Sequence, residues 1–196
     1  MPDGSSTEYT RDSRGFPIGI KDALGNLSTL AFDLSGNLVS HTDALENSTY
    51  YSYDKEGKLL SLKDALGKNT QYNYNNKELL SGISYADATN ETFEYNEKSQ
   101  LIAHTNQEGT ETKYELDQQG RVEKRVNALN HTLSYSYDTA GRVKALINEN
   151  GSSYHFEYDA LDRLTKEIGI DGLITNYEYS PLGTVTKKNR SRWYKR

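Results

Sequence analysis

Four histidines, His41, His104, His131 and His155, are the side chains best suited to metal binding or proton transfer near neutral pH, and their placement argues against both. None has a partner at ligand spacing, and His41 and His104 stand three sequence periods apart in one register. Asp and Asn recur just ahead of turn glycines. There a carboxylate or amide accepts backbone hydrogen bonds, and its repetition marks turn formation rather than the single distinctive constellation that catalysis needs. Alternating Asp-x-Asp-x-Asp-Gly loops of the calcium type do not occur. Cys is absent, which excludes disulfides and Cys-based zinc sites. Asn47-Ser48-Thr49, Asn90-Glu91-Thr92 and Asn130-His131-Thr132 have the form of sequons, but that pattern arises wherever a turn Asn precedes a strand Thr. The expectation is a protein that is not an enzyme, with no catalytic residue, no metal and no cofactor.

Aromatic rings are the remaining functional groups, and they repeat with a period of 21. Phe32, Tyr53, Tyr74, Tyr95, Leu116, Tyr137, Tyr158 and Tyr179 form one ladder, with Arg11 in its first register. Two residues earlier runs a second: Leu30, Tyr51, Tyr72, Phe93, Tyr114, Tyr135, Phe156 and Tyr177. Six residues after the first runs a third: Leu38, Leu59, Leu80, Leu101, Val122, Val143, Leu164 and Val185. The candidate site consists of the eleven ladder tyrosines, Tyr51, Tyr53, Tyr72, Tyr74, Tyr95, Tyr114, Tyr135, Tyr137, Tyr158, Tyr177 and Tyr179. They carry two readings: packing rings that line a shell, and a platform on which glycan rings stack. Leu and Val opposite the rings favour packing.

Strands and turns must hold these ladders. Asp54-Lys55-Glu56-Gly57 and Asp64-Ala65-Leu66-Gly67 each place Asp first and Gly fourth, the chemistry of a type I turn closed by a left-handed residue. Glu78, Ser99 and Asp162 replace the glycine and mark weaker turns. Between turns lie strands of about five to seven residues. The fold class is therefore all-β, a continuous antiparallel meander of 21-residue hairpin repeats forming a curled open sheet or partial spiral shell, with about sixteen strands. Tyr53 is expected to face Leu59 across the first turn. One position out, Tyr51 is expected to meet Ser61, Tyr72 to meet Gly82 and Tyr135 to meet Ala145, large rings against small neighbours. An odd period with two identical turns flips the apolar face once per repeat. Either the Asp-Ala-Leu-Gly turn is a four-residue loop or each repeat contains a β-bulge.

Charge divides the chain. The last ten residues, Lys187 to Arg196, hold six of the 23 basic side chains and no acid, leaving 17 basic against 28 acidic groups, or −11, in the remainder. A body so acidic repels phosphate, so nucleic acid is not an expected partner. No apolar run is long enough for a membrane span or a signal-peptide core. The organisation reads as an N-terminal leader over 1–10, a repeat array over 11–186 and a basic C-terminal tail over 187–196.

Gly57-Lys58-Leu59, Asp64, Gly67 and Tyr72-Asn73-Tyr74 follow the order Gly-Arg-Leu, Asp, Gly, Tyr-x-Tyr-Asp. Tyr53-Asp54, Tyr137-Asp138 and Tyr158-Asp159 supply Tyr-Asp itself, and Gly120-Arg121-Val122, Gly141-Arg142-Val143 and Arg163-Leu164 the segment after the turn. This pattern, from about Arg11 to Val185, resembles the Rhs/YD-repeat family. The resemblance implies a β-strand spiral that forms a hollow shell. In bacterial polymorphic toxins such a shell encloses a C-terminal toxin, and in related animal proteins it belongs to a cell-surface receptor. Ser180-Pro181-Leu182-Gly183 only echoes the family's Asp-Pro-x-Gly-Leu boundary, with Ser where the cleavage Asp belongs, so no cleavage residue is assigned. The implied partners are further YD repeats or an encapsulated toxin domain. A surface glycan is the partner on the alternative reading, a carbohydrate- or protein-binding module. The implied location is secreted or at the cell surface.

Overall fold

A computed structural model describes residues 6–192. Every regular element in it is a strand. In chain order they are β1 (Glu8–Arg11), β2 (Pro17–Lys21), β3 (Leu27–Phe32), β4 (Leu38–Thr42), β5 (Ser48–Tyr53), β6 (Leu59–Lys63), β7 (Asn69–Tyr74), β8 (Leu80–Ser84), β9 (Asn90–Tyr95), β10 (Leu101–Thr105), β11 (Glu111–Leu116), β12 (Val122–Val126), β13 (Thr132–Tyr137), β14 (Val143–Ile147), β15 (Ser153–Tyr158), β16 (Leu164–Ile168), β17 (Leu173–Tyr179) and β18 (Val185–Arg192). Within each of two units, consecutive strands pair antiparallel as a meander. The chain forms two compact units, residues 1–93 with 106–109, and residues 94–105 with 110–196. Among the described residues of each unit, strands contact only their neighbours in the chain, with no second layer over either face.

The eighteen strands among the described residues exceed the roughly sixteen expected from the periodicity. Glu8–Arg11, set apart in sequence as leader and first register, forms β1, and Lys187–Arg192 of the basic segment continues β18 against β17 from Glu178↔Lys187 to Leu173↔Arg192. Residues 1–5 and 193–196 of those segments lie outside the described residues.

The two turns of a repeat prove alike. Asp54 N–H donates to Lys58 O at 2.9 Å and Gly57 N–H to Asp54 O at 3.1 Å; Asp64 N–H donates to Lys68 O and Gly67 N–H to Asp64 O, both at 2.9 Å. In each, one carboxylate oxygen accepts two further backbone N–H groups: Glu56 and Lys58 on Asp54, Leu66 and Lys68 on Asp64. The fourth turn residue is left-handed, with φ 87° at Gly57 and 80° at Gly67. Glu78, Ser99 and Asp162 adopt the same region at 61–63°, a conformation that costs L-residues roughly 1–2 kcal/mol.

Identical turns leave the parity problem to the strands, and a β-bulge solves it. Tyr53 pairs with Leu59 but Ser52 pairs with Ser61, so Leu60 is extra. Ser81, Lys144 and Thr165 are extra at the same place in their repeats. Ser81 and Thr165 return a hydroxyl bond to the carbonyl across the bulge, on Asn73 and Glu157. The four-residue loop is therefore not used. Adding one unpaired residue per repeat restores the apolar side chains to a common face.

The bulge also corrects the expected rungs. Tyr51 pairs with Leu62, Tyr72 with Ile83 and Tyr135 with Leu146. Ser61, Gly82 and Ala145, expected opposite those rings, lie on the other face against Ser52, Asn73 and Ser136. Expecting unbroken pairing beyond the Tyr53–Leu59 rung placed every partner one residue short.

Burial is shallow. Among the described residues Ala103, Ala145 and Thr175 are buried, with Gly19 and Gly82, and no large side chain is fully buried. Side chains of the aromatic face shield one another laterally, as a single layer does.

Candidate functional surface

All eleven candidate tyrosines are half-buried. The first-ladder rings follow a common rule. Tyr53, Tyr74, Tyr137, Tyr158 and Tyr179 each donate the phenol proton to a backbone carbonyl fifteen residues back, on Leu38, Leu59, Val122, Val143 and Leu164, at 2.7–2.9 Å. The acceptor is always the third-ladder residue of the preceding repeat. The local cause is visible at Leu59, which stands at the bulge. The β6–β7 ladder ends at Ser61↔Gln71, so the Leu59 carbonyl lies beyond the last pair, and Tyr74 supplies a donor. Burial pushes the phenols of Tyr53 and Tyr137 above their ordinary value of 10.0, keeping the donating proton in place.

Second-ladder rings differ. Tyr177 donates to Glu167 Oε1 at 2.8 Å. Tyr51, Tyr72, Tyr114 and Tyr135 form the row behind, opposite Leu62, Ile83, Arg125 and Leu146. Tyr95 ends β9 in the first ladder. The register of these partners, Ile20, His41, Leu62, Ile83, His104, Arg125, Leu146, Glu167 and Lys188, itself repeats every 21 residues. Sequence reasoning missed it, although the spacing was there to find.

Where an Arg follows the fourth turn residue, at Arg121, Arg142 and Arg163, it couples its repeat to the next. Arg142 grips its own turn through Nε and Nη2 on Asp138 Oδ2, both 2.7 Å. Its Nη1 donates to Asp159 O at 3.0 Å and to Asp162 Oδ1 at 2.7 Å in the following turn, and the guanidinium lies 4.9 Å from the Tyr158 ring centre. Arg163 repeats this on Asp159, Ser180 O and Tyr179, and Arg121 on Asp117 and Tyr137. The guanidinium donor holds the Asp138 and Asp159 carboxyls below the usual carboxylate value. In the first unit Asn26, Asn37 and Asn47 donate to Asp22, Asp33 and Asp43 and lower those carboxyls similarly. Tyr, Asp and Arg thus form one recurring interlock: turn cap, ring and cation, closed across consecutive hairpins.

The opposite face is polar. Lys124, Lys166 and Lys187 pair across strands with Glu115, Glu157 and Glu178 at 2.7–3.1 Å. The histidines are dispersed: His41 opposes Leu30, His131 N–H caps onto Asn127, and His155 shares a hydrogen bond with Ser153. Among the described residues no group of three His, Asp or Glu side chains is placed to hold a metal. Among them, too, no helix is long and apolar enough to cross a membrane.

An interlock built from Tyr-Asp, Gly and Arg at this spacing agrees with the families that the chain matches. The family described as Teneurin YD-shell matches residues 3–131, and that described as RHS Repeat matches residues 137–172. The chain belongs to the YD-shell family. Its fold is similar to the crystal structure of TcdB2-TccC3-Cdc42, with a TM-score of 0.79 at 15% identity over 95% of this chain. It is also similar to that of TcdB2-TccC3, with a TM-score of 0.78 at 17% identity over 95% of the chain. This chain spans 13% of the length of each. No curated protein matches it.

Proposed function

We propose that the YD array is a non-catalytic wall segment of a larger shell, one that encloses or presents a C-terminal toxin in a secreted or contact-dependent system. The observation that carries this reading is the sheet itself. One face bears Tyr, Leu and Ile in continuous rows with no layer over it among the described residues, and the other bears Ser, Lys, Asn and Glu. A sheet with one apolar face is stable in water when that face packs on something. First-ladder hydroxyls and the guanidiniums of Arg142 and Arg163 are engaged in joining repeats, which supports a structural role for the side chains that the motif repeats. The 13% share of the similar structures supports a segment of a larger wall.

The test is site-specific photo-crosslinking in a polypeptide that carries this array with its following segment. A benzophenone side chain at position 62, on the aromatic face, should cross-link to the following segment. One at position 61, on the polar face, should not. Cross-links from position 61 alone would reverse the wall, and equal yields from both would remove the enclosure reading.

A further inference from the structure

Two of the eight second turns lack a capping Asp or Asn at their start, those of Tyr85 and Gly169, and the Gly169 turn stands beside a cleft. Six of the other seven second turns start with Asp or Asn, whose side chain caps the turn; the last starts with Gly169. Gly169 still makes the backbone bonds, donating to Leu173 O at 2.8 Å and accepting from Gly172 N–H at 2.9 Å. A Cβ at Gly169 would stand 2.8 Å from Asp171 Oδ1 and 3.5 Å from Tyr154 Cε1. Glycine is what keeps this space open.

The cleft, about 600 Å³, is lined by Tyr154, Glu167, Gly169, Asp171, Thr175 and Arg190, with Ile170 and Leu173. That volume is ordinary for a small-molecule site. Three of its polar members are exceptional in their own registers of the 21-residue period. Glu167 is the one carboxylate in the row that begins with Ile20, Tyr154 the one ring in the row that begins with Ser28, and Arg190 the one cation in the row of turn starts. In a scaffold where repetition dictates most residues, these departures converge on one place. Glu167, Thr175 and Arg190 are directly paired across β16, β17 and β18. Their outer members are therefore two strand spacings apart, roughly 9.6 Å. They form no ion pair with each other. Thr175, between them, is 2% exposed. Tyr177 donates to Glu167 Oε1, and Leu173 N–H to Asp171 Oδ1, which orients both carboxylates and leaves each a second oxygen.

We propose that this cleft binds a basic amino acid as its zwitterion. The carboxylate meets Arg190, the two cationic groups meet Glu167 and Asp171, and the methylene stem lies on Tyr154. Two anions and one cation in the wall complement two cations and one anion in the ligand.

The test is isothermal titration and NMR titration of residues 1–196 with free L-arginine, alongside L-arginine methyl ester and L-glutamate. L-Arginine should bind saturably with Kd of order 1 mM. The ester, which lacks the carboxylate, and L-glutamate, which lacks the second cation, should bind at least about tenfold more weakly. Arg190→Ala and Glu167→Gln should each weaken L-arginine about tenfold or more while leaving the circular dichroism spectrum unchanged. Gly169→Asn should abolish binding by filling the cleft. Absence of saturable binding up to about 50 mM, equal binding of the ester, or unaltered binding in Arg190→Ala would each overturn the proposal.

Discussion

Replacing Tyr74 by Phe removes one oxygen atom and, with it, the hydrogen bond to Leu59 O at 2.9 Å, fifteen residues away. The ring remains, so packing against Leu80 is unchanged. A net intramolecular hydrogen bond contributes roughly 1 kcal/mol, and more where its acceptor is left without water. Tyr72 is the internal control. It lies two residues earlier on β7, on the same face and equally half-buried, but its hydroxyl holds no hydrogen bond among the described residues. Urea unfolding followed by tyrosine fluorescence should give a midpoint about 0.5 M lower for Tyr74→Phe, taking a slope of roughly 2 kcal/mol per M. Tyr72→Phe should stay within about 0.2 M of the parent. The Tyr137→Phe and Tyr179→Phe effects should be additive to within about 0.5 kcal/mol, because the two clamps, on β13 and β17, share no partner residue. Equal midpoints for Tyr74→Phe and Tyr72→Phe would refute the idea that the phenol joins repeats through the bulge carbonyl.

Other consequences follow from the same geometry. Arg142→Ala should lower the unfolding midpoint more than Arg142→Lys, since a lysine keeps the charge but loses the fork that reaches Asp138, Asp162 and the Asp159 carbonyl together; thermal denaturation of both variants decides it. Ala88→Gly should stabilise by roughly 0.5 kcal/mol, because Ala88 holds φ 67° in an exposed turn; the readout is the urea midpoint, and a loss of stability would contradict the strain. The phenols of Tyr53 and Tyr137 retain their protons to higher pH in the fold than in the unfolded chain. Their contribution is complete below pH 10.0 and is lost as pH rises through the raised values, so stability measured from about pH 9 to about pH 12 should fall. At the acid end, Asp22, Asp43, Asp138 and Asp159 are held below 3.8 in the fold. Their contribution is present above that value and should disappear as pH falls below it.

How far the fold can be read from the residues depends on whether a feature has a chemical marker. Asp and Gly mark the turns, and the turn alone determines that Tyr53 faces Leu59. The bulge one residue further has no such marker: Leu60, Ser81, Lys144 and Thr165 share no side-chain property, because an unpaired backbone residue makes no uniform demand on its side chain. The pairings of Tyr51, Tyr72 and Tyr135 were therefore beyond reach of turn chemistry. Arg121, Arg142 and Arg163 were visible as a motif, but their ring partners lie in the next repeat, and only the register brings Tyr137, Tyr158 and Tyr179 beneath them. The Lys187–Arg192 segment has the charge of a solvated tail, yet its backbone continues the ladder of β17. Composition is silent on that point, since an outer strand exposes its side chains whichever way it pairs.

The wall reading is tested most directly by cryo-electron microscopy of a longer polypeptide that contains residues 1–196 and the segment after them. Density from another part of that polypeptide should lie over Tyr51, Leu62, Tyr72 and Ile83, with Ser52, Ser61 and Asn73 facing bulk solvent. An aromatic face open to solvent, or the polar face turned toward the enclosed chain, would contradict it.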